Sequence, residues 1–179
     1  MFKRNLGVIK VRILGIDPGY AIVGYGIVDY NNLRFSVAGY GAITTEAHKP
    51  FVDRLSDIYN DMLTIIDKYK PEALAIEKLY FNTNTTTAID VAQARGVILL
   101  AAISRNVLIY EYTPLQVKQA VTGYGRAEKR QVMEMVKNLL SLKAIPKPDD
   151  TADALAIAVC HGHYSGSSYS KIYLEDKKW

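Results

Sequence analysis

The chain has 179 residues, 49% of them hydrophobic and 22% charged, with a net charge of +4 and a pI near 9.0. These values suit an ordinary globular chain able to bury its own core, read here as one domain over residues 1–179. They exclude a low-complexity chain, a run of about eighteen apolar residues that would span a membrane, and, with Cys160 the lone cysteine, a disulfide framework or multi-thiolate metal site.

The opening stretch "MFKRNLGVIK" is basic but lacks the apolar core and small-residue cleavage site of a signal peptide. Residues 1–10 therefore read as an N-terminal extension, and the cytoplasm as the expected compartment. A buried strand is predicted over 11–17, ending on Asp17 before the Pro18-Gly19 turn. A second strand follows at 22–30, and Asn31-Asn32 suits a hairpin turn because Asn tolerates positive φ. A third strand over 33–44 completes an antiparallel meander.

Leu55, Ile58, Tyr59, Met62, Ile65, Ile66 and Tyr69 recur at three- and four-residue spacing and predict a helix ending before Pro71. The short strand 73–77, "ALAIE", finishes on a second carboxylate, Glu77. A loop leads into an apolar helix over 87–104, followed by a strand over 107–112. Thr113-Pro114 supplies a cap and a first-turn proline for the next helix, with Gly123 as its stop. A basic amphipathic helix is predicted over 127–142 and a last helix over 149–163, with residues 164–179 as a loosely ordered tail. Three meander strands and then alternating helices and strands imply an α/β fold, a mixed five-stranded sheet flanked by helices.

In such sheets functional groups collect at the carboxyl ends of parallel strands. If the strands carrying Asp17 and Glu77 are parallel neighbours, both acids emerge at one edge. Asp150 and Asp153 open the last helix, three residues apart and so on one face. Taken singly, each has a plainer role: Asp17 in an Asx turn, Glu77 as a solvated strand end, Asp150 and Asp153 as acids serving a helix N-terminus. Taken together, four carboxylates must share protons or hold cations, and an all-oxygen set selects Mg²⁺ or Mn²⁺ over Zn²⁺. Residues 118–147 carry seven basic residues against two acidic ones, which reads either as solvated helix surface or as a nucleic-acid footprint.

The segments "ILGIDPG", "AIEKLYF", "NTTTAIDVAQARG", "TPLQVKQAVTGYGRAEKRQV" and "DDTADALAIA", in this order from about Arg12 to His163, closely resemble the RuvC family of bacterial Holliday-junction resolvases. The resemblance implies a ribonuclease-H-like fold and a homodimeric, Mg²⁺-dependent endonuclease. Such an enzyme nicks two strands of a four-way junction symmetrically and leaves 5′-phosphate and 3′-hydroxyl ends. It implies Asp17, Glu77, Asp150 and Asp153 as catalytic metal ligands, with Asp149 the neighbouring alternative to Asp150, and two Mg²⁺ per subunit, replaceable by Mn²⁺. It further implies Tyr80 as an aromatic meeting unstacked bases, Lys118 and Lys129 as DNA contacts, and RuvA and RuvB as branch-migration partners. Tyr80 reads equally as a loop anchor into the core.

The expected chemistry is hydrolysis by metal-activated water. The helix over 87–104 is the candidate dimer interface, because Ile98, Leu99, Leu100 and Ile103 exceed one stripe; a central core helix would look the same. His161 and His163 suit the C-terminus of the last helix, and Cys160 a small buried apolar position. Two other classes compete. A non-catalytic module that binds branched DNA and recruits another nuclease shares the basic segment but needs no clustered acids. An actin-like phosphotransferase shares "GIDPG" but needs a second phosphate-binding hairpin, which the sequence lacks.

Overall fold

The computed structural model describes residues 10–79 and 87–165. One five-stranded sheet is built from β1 (Lys10–Asp17), β2 (Ile22–Asn31), β3 (Arg34–Thr44), β4 (Ala73–Glu77) and β5 (Leu108–Tyr112), in the spatial order β3-β2-β1-β4-β5. The first three strands form the expected antiparallel meander, while β1, β4 and β5 run parallel. The helices are α1 (Phe51–Tyr69), α2 (Ala88–Ser104), α3 (Pro114–Thr122), α4 (Lys129–Leu139) and α5 (Asp149–Ser165). None of those described is long and apolar enough to cross a membrane.

Strand period decides which side chains meet which layer. Along β1, Leu14 and Ile16 face α1 and α2, whereas Ile13 faces the layer formed by α3, α4 and α5. Along β4, Leu74 and Ile76 join the first group and Ala75 the second. The sheet is thus covered on both faces, which is why β1 and β4 read as continuous apolar runs.

Element ends depart from the sequence expectation where caps decide them. Helix α1 starts a turn before Leu55, with Pro50 at its N-cap position. Helix α4 is shorter than 127–142: Glu128 forms a capping box with Gln131, and the helix stops at Leu139, ahead of Ser141 at φ 51°. Leu140 is buried outside the helix, so its apolarity reports packing rather than helicity. Thr113 caps α3 through a capping box with Gln116, and Gly123 ends it in the left-handed region at φ 75°. Strand β1 already begins at Lys10, and α5 runs through Ser165, two residues into the expected tail; residues 1–9 and 166–179 lie outside the described residues.

Candidate active site

The period that buries Ile13 and Ala75 against the α5 layer points the next odd positions of each strand to the same side. Ile16 pairs with Ile76, one residue before Asp17 and Glu77, so the two acids leave adjacent parallel strands at one level. Helix α5 completes the group by lying unusually close to the sheet. A β-carbon at Gly15 would collide with the backbone carbonyl of Ala154, and one at Gly24 with that of Asp150. Gly24 is the residue of β2 that pairs with Asp17. The absence of side chains at these two positions lets the first turn of α5 settle beside Asp17, with Asp150 and Asp153 on it.

The electrostatics record that convergence. The Asp17 carboxyl is pushed up to about 7, first by burial and then by the negative charges of Asp153, Glu77 and Asp150; Lys129 opposes the rise. Glu77 is also raised, by burial and by Asp153, with Lys118 opposing. Asp149, the neighbouring alternative to Asp150, points its charge elsewhere. Its carboxylate pairs with Lys147 at 2.6 Å, which holds it below the usual carboxylate range, and it does not contribute to the rise at Asp17.

Lys129 Nζ stands 2.9 Å from Asp153 Oδ2 and 3.8 Å from Asp149 Oδ2. A cavity of about 250 Å³ opens beside the acids, lined by Glu77 and Asp153 together with Lys118, Lys129, Val117 and Val132. Both lysines singled out in the sequence therefore border the acidic group. Tyr80 lies outside the described residues.

The donor chemistry fits a hard divalent cation: every candidate ligand is a carboxylate, and the group is short of positive charge. Among the described residues, no three Asp, Glu, His or Cys side chains stand close enough to enclose one ion as they are placed. The cation paired with Asp153 is the Lys129 ammonium.

The remaining sequence candidates lie apart from the acidic group. His161 is buried and exchanges a 2.7 Å hydrogen bond with the Tyr112 hydroxyl, and burial lowers its imidazole to about 4. His163 packs edge-on against Phe35, and Cys160 is fully buried. On α2, Ile98 is buried in the chain's own core and so is not open to a partner, while Leu99 is half-buried against that core. Leu100 and Ile103 are exposed, and Ile89 joins them at 65% exposure. Sequence reading passed over Arg95, whose guanidinium pairs with Glu111 on β5 and ties α2 to the sheet. The spacing of sixteen residues between them leaves no local signal.

A family model described as crossover junction endodeoxyribonuclease RuvC matches residues 13–161, nearly the whole described fold. The chain belongs to the RuvC family. A RuvC of Ruminiclostridium cellulolyticum is 58% identical over 151 residues, covering 84% of this chain and 91% of that protein. A solved Thermus thermophilus RuvC, in complex with a Holliday junction substrate, superposes with a TM-score of 0.82 at 36% identity, covering 87% of this chain and 94% of that one. The yeast mitochondrial Holliday junction resolvase shares the fold at a TM-score of 0.66 and 15% identity, covering 87% of this chain and 79% of that one. The ribonuclease-H-like RuvC architecture thus agrees with the strand order built above.

Proposed function

We propose that this chain is a structure-selective endonuclease of recombination and repair, which resolves four-way DNA junctions by paired symmetric nicks that leave 5′-phosphate and 3′-hydroxyl ends. The observation that carries the reading is the crowding of Asp17, Glu77, Asp150 and Asp153 beside a cavity bordered by Lys118 and Lys129, in a chain of the RuvC family.

Asp17, Glu77, Asp150 and Asp153 would hold divalent cations, Mg²⁺ with Mn²⁺ as a substitute, two per subunit. When bound, such ions activate the attacking water and stabilise the departing 3′ oxygen. The chain's own part is to place the ligands: β1 and β4 present two acids at one level, and α5 brings two more across the sheet end. Lys118, which lines the same cavity as Glu77, would receive a phosphate of the DNA backbone. Symmetric cutting calls for a two-fold dimer on a two-fold junction. The exposed stripe Ile89, Leu100 and Ile103 on α2 is its proposed interface, and Gly96 on the same helix leaves room for a close approach. The cytoplasm as compartment, and RuvA and RuvB as partners, follow from the family resemblance.

A non-catalytic recruiting module would gain nothing from an acidic cluster that raises Asp17 so far. The test is cleavage of a synthetic four-way junction, with linear duplex as control, in Mg²⁺ and in EDTA. Paired nicks on the junction only, and only with Mg²⁺, support the proposal; tight junction binding without cutting under any divalent ion refutes it.

A further inference from the structure

Lys129 stands in an unusual position for a cation. It is the first residue of α4, directly after the Glu128 cap, so its backbone is fixed while the helix macrodipole disfavours positive charge there. Its side chain is 56% exposed. What holds the ammonium inward is the acidic group: Asp153 at 2.9 Å, Asp149 at 3.8 Å, and the more distant charge of Asp17. An exposed ion pair of this kind contributes little to stability and exchanges readily. A lysine stem of four carbons also lets the ammonium leave without moving α4.

An ammonium 2.9 Å from Asp153 Oδ2 neutralises much of the charge that would draw a divalent cation, and two cations at that range repel. We propose that Lys129 is an internal competitor of the divalent cation: it neutralises Asp153 in the metal-free protein, and cation loading releases it toward the phosphate backbone of DNA. The inference rests on the reading of the four acids as cation ligands. Its consequence is reciprocal coupling. Cation binding makes a phosphate-seeking ammonium available, and DNA that captures the ammonium leaves Asp153 open to the cation. Lys147 provides a control of equal charge, since it pairs with Asp149 rather than with Asp153.

The test measures Mn²⁺ uptake by the full chain without DNA, from the electron paramagnetic resonance signal of free Mn²⁺. Wild type, Lys129→Met and Lys147→Met are compared near pH 8, and each variant's circular dichroism is checked against wild type. The expected result is about tenfold tighter uptake by Lys129→Met and less than about twofold change in Lys147→Met. In a second arm, Ca²⁺ should strengthen junction binding by wild type more than by Lys129→Met. Unchanged or weaker Mn²⁺ uptake by Lys129→Met in a wild type that takes up Mn²⁺ and cuts junctions overturns the inference alone. Equal tightening in both variants overturns it too, because bulk charge then explains the effect. If no form takes up Mn²⁺ at millimolar concentration, the cation-site reading and the inference fall together.

Discussion

Replacing Asp17 by Asn should make the metal-free protein more stable at pH 8 while removing its cutting activity. The unfolded chain releases this proton near 3.8 and the folded chain near 7. Between those values the folded state holds the extra proton, so stability falls as pH rises through the window and stays low above it. At about 1.4 kcal/mol per pH unit, the ionised carboxylate costs the fold up to about 4 kcal/mol, and relaxation of the site leaves roughly 2–4. That is a large share of the roughly 5–15 kcal/mol of a typical domain. Asn keeps the shape and removes the charge. Urea denaturation in EDTA should therefore show Asp17→Asn ahead by about 2–4 kcal/mol at pH 8, a melting difference of about 5–15 °C, with the gap closing toward pH 4. Added Mg²⁺ should raise wild type more than the variant, because a ligand that binds only the folded state stabilises it by mass action. A variant no more stable than wild type at pH 8 in EDTA would refute the charge-crowding argument.

Asp153→Asn should cut a four-way junction at least a thousandfold more slowly with Mg²⁺ (~4 kcal/mol of barrier) and still bind it within a few-fold in a gel-shift assay; a normal cutting rate removes Asp153 from the site. Gly24→Ala should cost about 1–3 kcal/mol in urea denaturation and at least tenfold in cutting, since the new methyl meets the Asp150 carbonyl; full activity would show that the seat of α5 is not set there. Lys118→Ala should weaken junction binding and lower the slope of log affinity against log salt by about 0.9; an unchanged slope takes Lys118 out of the interface. Leu100→Asp with Ile103→Asp should give a monomer by sedimentation at micromolar concentration, and a persistent dimer would place the interface elsewhere.

The sheet was legible because its signals are local. Apolar runs at 13–16 and 73–76, the Asn31-Asn32 turn and the Thr113-Pro114 cap each specify their neighbourhood. The acids at the ends of two such runs were legible for the same reason, since the end of a parallel strand is a position that sequence can locate. What the sequence could not display is the docking of α5. Gly15 and Gly24 look like weak points in strands, and only the backbone of a helix some 130 residues away explains them. Likewise Lys129 reads as a basic surface residue, because its partner Asp153 becomes a neighbour only once α4 and α5 are packed. Boundaries slipped where burial imitates helix periodicity, as at Leu140, or where a capping box rather than hydrophobicity sets the start, as at Glu128.

The distance along the chain between Asp17 and Asp153 has a consequence during synthesis. The β1–β2–β3 meander can form early from local contacts, whereas the layer that covers one face of the sheet waits for α5, the last described helix. A nascent chain that has emerged only through α4 already carries Asp17, Glu77 and the basic segment, so it has phosphate-attracting charge and half of the acids. It lacks the helix that closes the group. Contacts of such long range are the slow ones to form. On the proposed role of Asp150 and Asp153, competence to break DNA arrives only when α5 docks, late in synthesis.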